Sequence, residues 1–177
     1  MNLLNHRRRF LAALAAKMIA PTIIGAPTLV LAKPKRRLQI QNRLGEAVDL
    51  HFFDPTEVVD EVTFLFRDWR NNAILSIDPD LIKNLAILQA ALDTTTPFFL
   101  LSGYRSEATN AALRQRSSSV AQNSLHLTGR AADVAIEGVQ PRTIAAVAKN
   151  TIFGGVGLYS NSGFVHIDTG RHRRWGH

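Results

Sequence analysis

Three residues of the chain have the types and spacing of a metal site. His126 and Asp133 stand seven positions apart in NSLHLTGRAADVAI, and His166 stands in FVHID. Two neutral imidazoles and one carboxylate leave the fourth position of a tetrahedral ion open to water, the donor count of a catalytic rather than a structural zinc. The chain contains no cysteine. Disulfides, thiolate sites and iron–sulfur clusters are therefore excluded, and any metal must be held by imidazole and carboxylate. Gly129 allows the chain to reverse between His126 and Asp133, so that both can converge on one ion. Ala131 and Ala135 share a strand face with Asp133 and leave room around it. The same period of two puts Asp168 and Phe164 on the face of His166. Taken singly, each of these is also an ordinary hydrogen-bonded polar residue. The set as a whole points to a metal.

The elements that position this set can be read along the chain. RRLQIQNRLGEAVDLHFF alternates apolar and polar residues on either side of Leu44-Gly45-Glu46, a hairpin with a glycine turn. PTEVVDEVTFLFRDWRN carries Val58, Val59, Val62, Phe64, Leu65, Phe66 and Trp69 at mostly helical spacing and is expected to be a helix packed on that hairpin. DPDLIKNLAILQAALD opens with Asp78 as cap and Pro79 at the first helical position, then repeats Leu81, Leu85, Leu88 and Leu92. From Pro97 the texture changes. PFFLLSG, GRAADVAI, GGVGLY and GFVHIDTG read as short strands, with helices at SEATNAALRQR, capped by Ser106, and at QPRTIAAVAKN. This order predicts an α+β fold with a central antiparallel sheet carrying the site and helices flanking it.

The motifs SLHLTGRAADV, SGYRS upstream and FVHID downstream resemble the zinc D-alanyl-D-alanine peptidases, a superfamily that includes murein endopeptidases, vancomycin-resistance dipeptidases and the hedgehog signalling domain. Its exported murein-endopeptidase-like branch is the most similar, by motif from about Pro97 to the C-terminus. The resemblance implies Zn²⁺ held by His126, Asp133 and His166. It implies a substrate-facing role for Arg105 and a substrate contact for Ser124. Arg105 also has its own physical case, because a guanidinium is a rigid fork of donors suited to a peptide carboxylate or a developing oxyanion. A structural ion pair is its other reading. The family's glutamate base, three residues before the last histidine, is replaced here by Gly163. Asp168 is the substitute expected from sequence, either as general base or as the carboxylate that orients His166; Glu137 and Glu107 follow it. The implied activity is zinc-dependent hydrolysis of peptidoglycan cross-links. The missing glutamate also admits a zinc-retaining but inactive module that binds cell-wall peptide or a partner protein.

Residues 1–32 read as an export signal. Arg7, Arg8 and Arg9 precede Phe10-Leu11 and an alanine-rich apolar run, an order similar to the twin-arginine signal. Lys17, Pro21, Gly25 and Pro27 interrupt the run, which argues against a stable membrane span. The expectation is therefore a periplasmic protein, with one peptidase-like domain over residues 33–177. Setting aside Arg7, Arg8, Arg9 and Lys17 leaves 17 of the 21 basic residues against all 14 acids. Seven of those 17 lie in KPKRR and RHRRWGH, which read as solvated basic ends. A nucleic-acid groove needs its basic face within the fold, so no nucleic-acid partner is expected. Nothing in the pattern bears on oligomeric state.

Overall fold

The computed structural model describes residues 34–118 and 120–176. The expected signal over residues 1–32 lies outside them. The hairpin forms as β1 (Arg36–Asn42) and β2 (Ala47–Phe52), paired antiparallel around Gly45, whose φ of 81° suits the turn. Asp54 and Glu57 then form a capping box on a 3₁₀ turn over Pro55–Val58 that leads into α1 (Val59–Leu65). The helix stops short of Trp69. The Phe66 carbonyl instead accepts from the Tyr104 amide, and the buried Asp68 carboxylate accepts from the amide and hydroxyl of Ser106. The chain turns back through Asn72, at φ 58°. These long-range bonds outweigh the helical spacing of the apolar residues.

Helix α2 (Pro79–Ala91) begins as expected, with the Asp78 carboxylate accepting from the Asp80 amide and Pro79 in the first turn. Then follow β3 (Phe98–Ser102), α3 (Glu107–Arg116) capped by Ser106, β4 (Ala131–Ile136), α4 (Pro141–Thr151), β5 (Gly155–Tyr159), β6 (Phe164–Asp168) and β7 (Arg173–Gly176). Among the described residues the strands form one sheet in the order β2-β1-β3-β4-β6-β5-β7. The fold is α+β, but the sheet is mixed. The segment from β3 to β5 that carries the site is antiparallel, while β1 pairs parallel to β3 and β5 parallel to β7.

Alternation along the strands separates core from site. Leu38, Ile40, Phe98, Leu100, Ala132, Val134, Val165, Ile167 and Val156 are buried in the core, with α2 packed on β1 and α4 on β5 and β6. The intervening positions of β4, β5 and β6 face the other way. β3 joins them through a bulge between Leu100 and Ser102: Leu100 pairs with Val134, yet Ser102 pairs with Asp133. The extra residue turns Ser102 onto the site face and sets the direction of Gly103 and Arg105.

The C-terminal basic run is not a solvated tail. Residues 173–176 are a sheet strand, and the Arg174 guanidinium donates to the carbonyls of Gly154 and Lys149. At the other end, Arg36 and Arg37 lie in β1, with Arg37 paired to Asp49 at 2.6 Å. The C-terminal strand was concealed in the sequence because its arginine-rich segment carries little apolar alternation.

Candidate metal centre and cleft

His126 sits in a 3₁₀ turn over Leu125–Thr128 that ends at Gly129, with φ 67°. A Cβ added to Gly129 would lie 2.4 Å from the Ser76 carbonyl oxygen, and the Gly129 carbonyl accepts from the Asp78 amide. Left-handed geometry and close backbone approach both require glycine here. Gly129→Ala is expected to destabilise the fold by at least about 1–3 kcal/mol, read as a lowered denaturation midpoint. An unchanged midpoint would mean that the reversal is less constrained than this contact implies.

Across the sheet Asp133 is the register partner of His166. The His126 Nε2, Asp133 Oδ1 and His166 Nδ1 atoms converge. Nε2 lies 3.2 Å from each of the other two, which are 2.9 Å apart. All three residues are buried, and they form a group able to hold a metal ion. Bonds of about 2.0–2.2 Å at tetrahedral angles would put donor atoms about 3.3–3.5 Å apart, close to the spacing seen.

The outer atom of each of the three residues is tied down. His126 Nδ1 lies 2.6 Å from the Gly103 carbonyl oxygen, which can only accept, so Nδ1 carries the proton and Nε2 faces the cluster with its lone pair. The Arg105 guanidinium donates to Asp133 Oδ2, and its Nε–H donates to the Ser102 hydroxyl at 2.9 Å. His166 Nε2 lies 3.1 Å from Asp168 Oδ2. Asp168 is fully buried. It also receives the Gly155 and Gly170 amides at 3.0 and 2.8 Å and an Arg173 N–H at 2.7 Å. Room for it comes from Gly155, where an added Cβ would lie 2.3 Å from Oδ2.

The electrostatics fit a cation at the centre. Burial, the largest influence on His126, pushes its imidazole below its ordinary value and keeps it neutral. Burial also opposes ionisation of Asp133, but the two histidines outweigh it and hold the carboxyl well below the usual range. At His166 burial is again the largest influence and pulls downward, yet the carboxylates of Asp133 and Asp168 override it and raise the imidazole. With Nε2–H donated to Asp168, a proton on Nδ1 makes this ring an imidazolium facing Asp133. The field that favours this proton favours a metal ion in the same place. Asp168 stays ionised because His166 and the Gly170 and Gly155 amides outweigh its burial.

A cleft of about 280 Å³ opens over the cluster, lined on one side by the segment 120–125 with Arg105 and on the other by Tyr159, Phe164, Arg173 and Trp175. Ser124 and Arg105 therefore line it with His126, Asp133 and His166, whereas Asp168 meets the outer nitrogen of His166 and is absent from the lining. Glu137 and Glu107 are exposed and do not line it either. Among the described residues Asp133 is the one carboxylate on its wall. Sequence reasoning missed Tyr159, Arg173 and Trp175. A tryptophan next to the arginines of a supposed tail was the available signal.

Residues 31–175 match the family described as peptidoglycan L,D-endopeptidase MepK. The chain belongs to this family. A peptidoglycan L,D-endopeptidase MepK of Escherichia coli (strain K12) is 41% identical over 182 residues, covering 99% of this chain and all of that protein. A probable peptidoglycan L,D-endopeptidase MepK of Haemophilus influenzae is 32% identical over 184 residues, covering 99% of this chain and 98% of its own. The crystal structure of the Serratia marcescens L-Ala D-Glu endopeptidase ChiX is 26% identical over 42% of this chain and 60% of its own, with a TM-score of 0.34, a likeness too slight to bear on the fold. The cleft is thus set in a MepK-family chain matched over almost its whole length.

Proposed function

We infer that the protein is an exported zinc peptidase that hydrolyses peptide cross-links of peptidoglycan, acting in the periplasm. The observation that carries this reading is the convergence of three donor atoms, each with its outer atom tied to Gly103, Arg105 or Asp168, in a cleft of a MepK-family chain. A zinc ion held by His126, Asp133 and His166 would polarise the scissile carbonyl and lower the pKa of its water to about 7. Arg105 fixes Asp133 and lines the cleft, where its remaining N–H groups can meet substrate charge. Ser124, which also lines the cleft, offers a hydroxyl to the peptide. Asp168 orients His166 from behind, and its placement favours that role over direct proton transfer. Its relatives, named as L,D-endopeptidases, favour endopeptidase action on an L,D bond. Export rests on the arginine-led segment at the N-terminus and on a wall substrate lying outside the cytoplasm. No helix among the described residues is long and apolar enough to cross a membrane.

Digestion of purified cell wall with and without chelator tests the reading. New amino termini that vanish with chelator and return with zinc are expected. A second reading is favoured by the lack, among the described residues, of any cleft carboxylate besides Asp133: an inactive module that holds metal and cell-wall peptide. Stoichiometric metal with no cleavage of any muropeptide would select it.

Arg105→Lys separates substrate contact from ligand support. A point charge cannot bond both Ser102 and Asp133, so metal affinity is expected to fall up to about 10-fold. If Arg105 also meets substrate, saturating zinc will not restore kcat/KM. Full restoration would confine Arg105 to holding Asp133.

A further inference from the structure

Two carboxylates touch the histidines of the cluster, and each of them also touches a guanidinium. Asp133 Oδ1 lies 2.9 Å from His166 Nδ1 and 3.2 Å from His126 Nε2, while its Oδ2 accepts from Arg105. Asp168 Oδ2 lies 3.1 Å from His166 Nε2 and accepts from Arg173 at 2.7 Å, and its Oδ1 accepts from the same guanidinium at 3.3 Å. Both arginines line the cleft. The functional reading above uses only the first.

Arg173 is built into its place. Gly170 leaves room for it, since a Cβ added there would lie 2.8 Å from Arg173 Nη1 and 3.0 Å from Asp168 Oδ1. The guanidinium also lies 4.9 Å from the centroid of the Trp175 ring. Its side chain keeps 35% of its surface exposed, whereas Asp168 has none. The neighbouring Arg174 gives its donors to backbone carbonyls instead. Asp168 could hold His166 without Arg173, because the Gly155 and Gly170 amides already fix the carboxylate. What those neutral amides do not supply is a counter-charge. A carboxylate on the outer nitrogen of a histidine makes the ring a stronger donor to a cation, and an arginine on that carboxylate tempers the effect.

We propose that Arg173 is a positioning residue that acts through Asp168: it balances the charge of that carboxylate, as Arg105 does that of Asp133, so that the three convergent donors present little net negative charge to the ion. This rests on the zinc hydrolase reading above and deepens it. A cation held in a balanced site is bound less tightly and acidifies its water more. The two contacts, the width of the imidazole and one metal bond put the guanidinium within about 10 Å of the ion position. At that range one unit charge, partly screened by water, changes the affinity for a divalent ion by about 3- to 20-fold.

The sign of that change separates charge balance from simple support. Arg173→Gln keeps an N–H for Asp168 and removes the charge; Arg173→Lys keeps the charge and removes the fork. Zinc affinity, measured by competition with a chromogenic chelator, is expected to rise about 3- to 20-fold in Arg173→Gln and to stay near wild type in Arg173→Lys. On a cross-linked peptide kcat is expected to fall about 10- to 100-fold in Arg173→Gln, with KM little changed and much of the rate kept in Arg173→Lys. Arg173→Met, which also lacks the charge, takes the place of the glutamine variant should that fail to fold. Weaker or unchanged zinc binding in the folded neutral variants overturns the proposal and leaves Arg173 a structural pin. A raised KM with kcat intact also overturns it, making Arg173 a substrate contact. Zinc affinities in the expected order in a protein that cuts no peptide keep the charge balance and remove the hydrolase reading. Cleavage by wild type with no change of affinity in the variants does the reverse.

Discussion

His126→Ala, Asp133→Ala and His166→Ala are each expected to remove the bound metal and peptide hydrolysis together. Each deletes one of three donor atoms lying 2.9–3.2 Å apart, and two protein ligands do not make a closed zinc site. Without the ion the pKa of the attacking water returns toward its bulk value, so turnover falls by several orders of magnitude. The variants differ in what they leave behind. His166→Ala keeps the Arg173–Asp168 pair, His126→Ala strands the Gly103 carbonyl, and Asp133→Ala strands the partly buried Arg105 guanidinium. His166→Ala should thus be the least destabilised, and loss of its metal in a folded protein is the decisive case. Metal per chain by mass spectrometry after dialysis is the measurement, with circular dichroism confirming the fold. Full retention in all three would refute the assignment. Ordinary hydrogen-bonded residues would change the melting point and no metal content.

The second large effect is expected at Asp168→Asn. In the structure Oδ2 takes the proton of His166 Nε2 and an N–H of Arg173, while Oδ1 takes the Gly155 and Gly170 amides. Each carboxylate oxygen is thus already engaged by two donors, and Asp168 is not among the residues lining the cleft. An asparagine keeps one acceptor oxygen, but its NH₂ must face either Arg173 and His166 or the two amides, all of them donors. The ring of His166 is then less well held and its Nδ1 less basic. Metal affinity is expected to fall about 10- to 100-fold, with much of the rate restored by excess zinc. A general base would behave otherwise, with metal binding intact and turnover lowered by about 10²–10⁴ at any zinc concentration. Titration of activity against buffered zinc distinguishes the two.

The convergence of His126, Asp133 and His166 could be read from residues because its chemistry is local. Gly129 announces the reversal, the alanines flanking Asp133 announce the space, and strand alternation puts His166 on the matching face. The direction of Asp168 could not be read the same way. A period of two places it beside His166 but does not say which ring nitrogen it meets, and that depends on Gly155 and Gly170 closing on its carboxylate and on Arg173 arriving from another strand. β7 was hidden by its arginines, whose partners are backbone carbonyls and Asp168 rather than solvent. The bulge at Leu101 leaves no mark in composition. The early end of α1 depends on Asp68 and Tyr104, bonds that no window of helical spacing contains.

If the site holds an ion, the row of register partners Ser102, Asp133, His166 and Gly157 gives that ion a second office, as a latch on strand alignment. A slip of β6 by one residue against β4 would bring Val165 or Ile167 to the position opposite Asp133 and send His166 into the core. The misaligned sheet would have two donors where the aligned one has three. Because such an ion would bind only the aligned arrangement, occupancy would draw the population toward it by mass action. A chain that completed its folding where zinc is available would then have its register proofread by the metal.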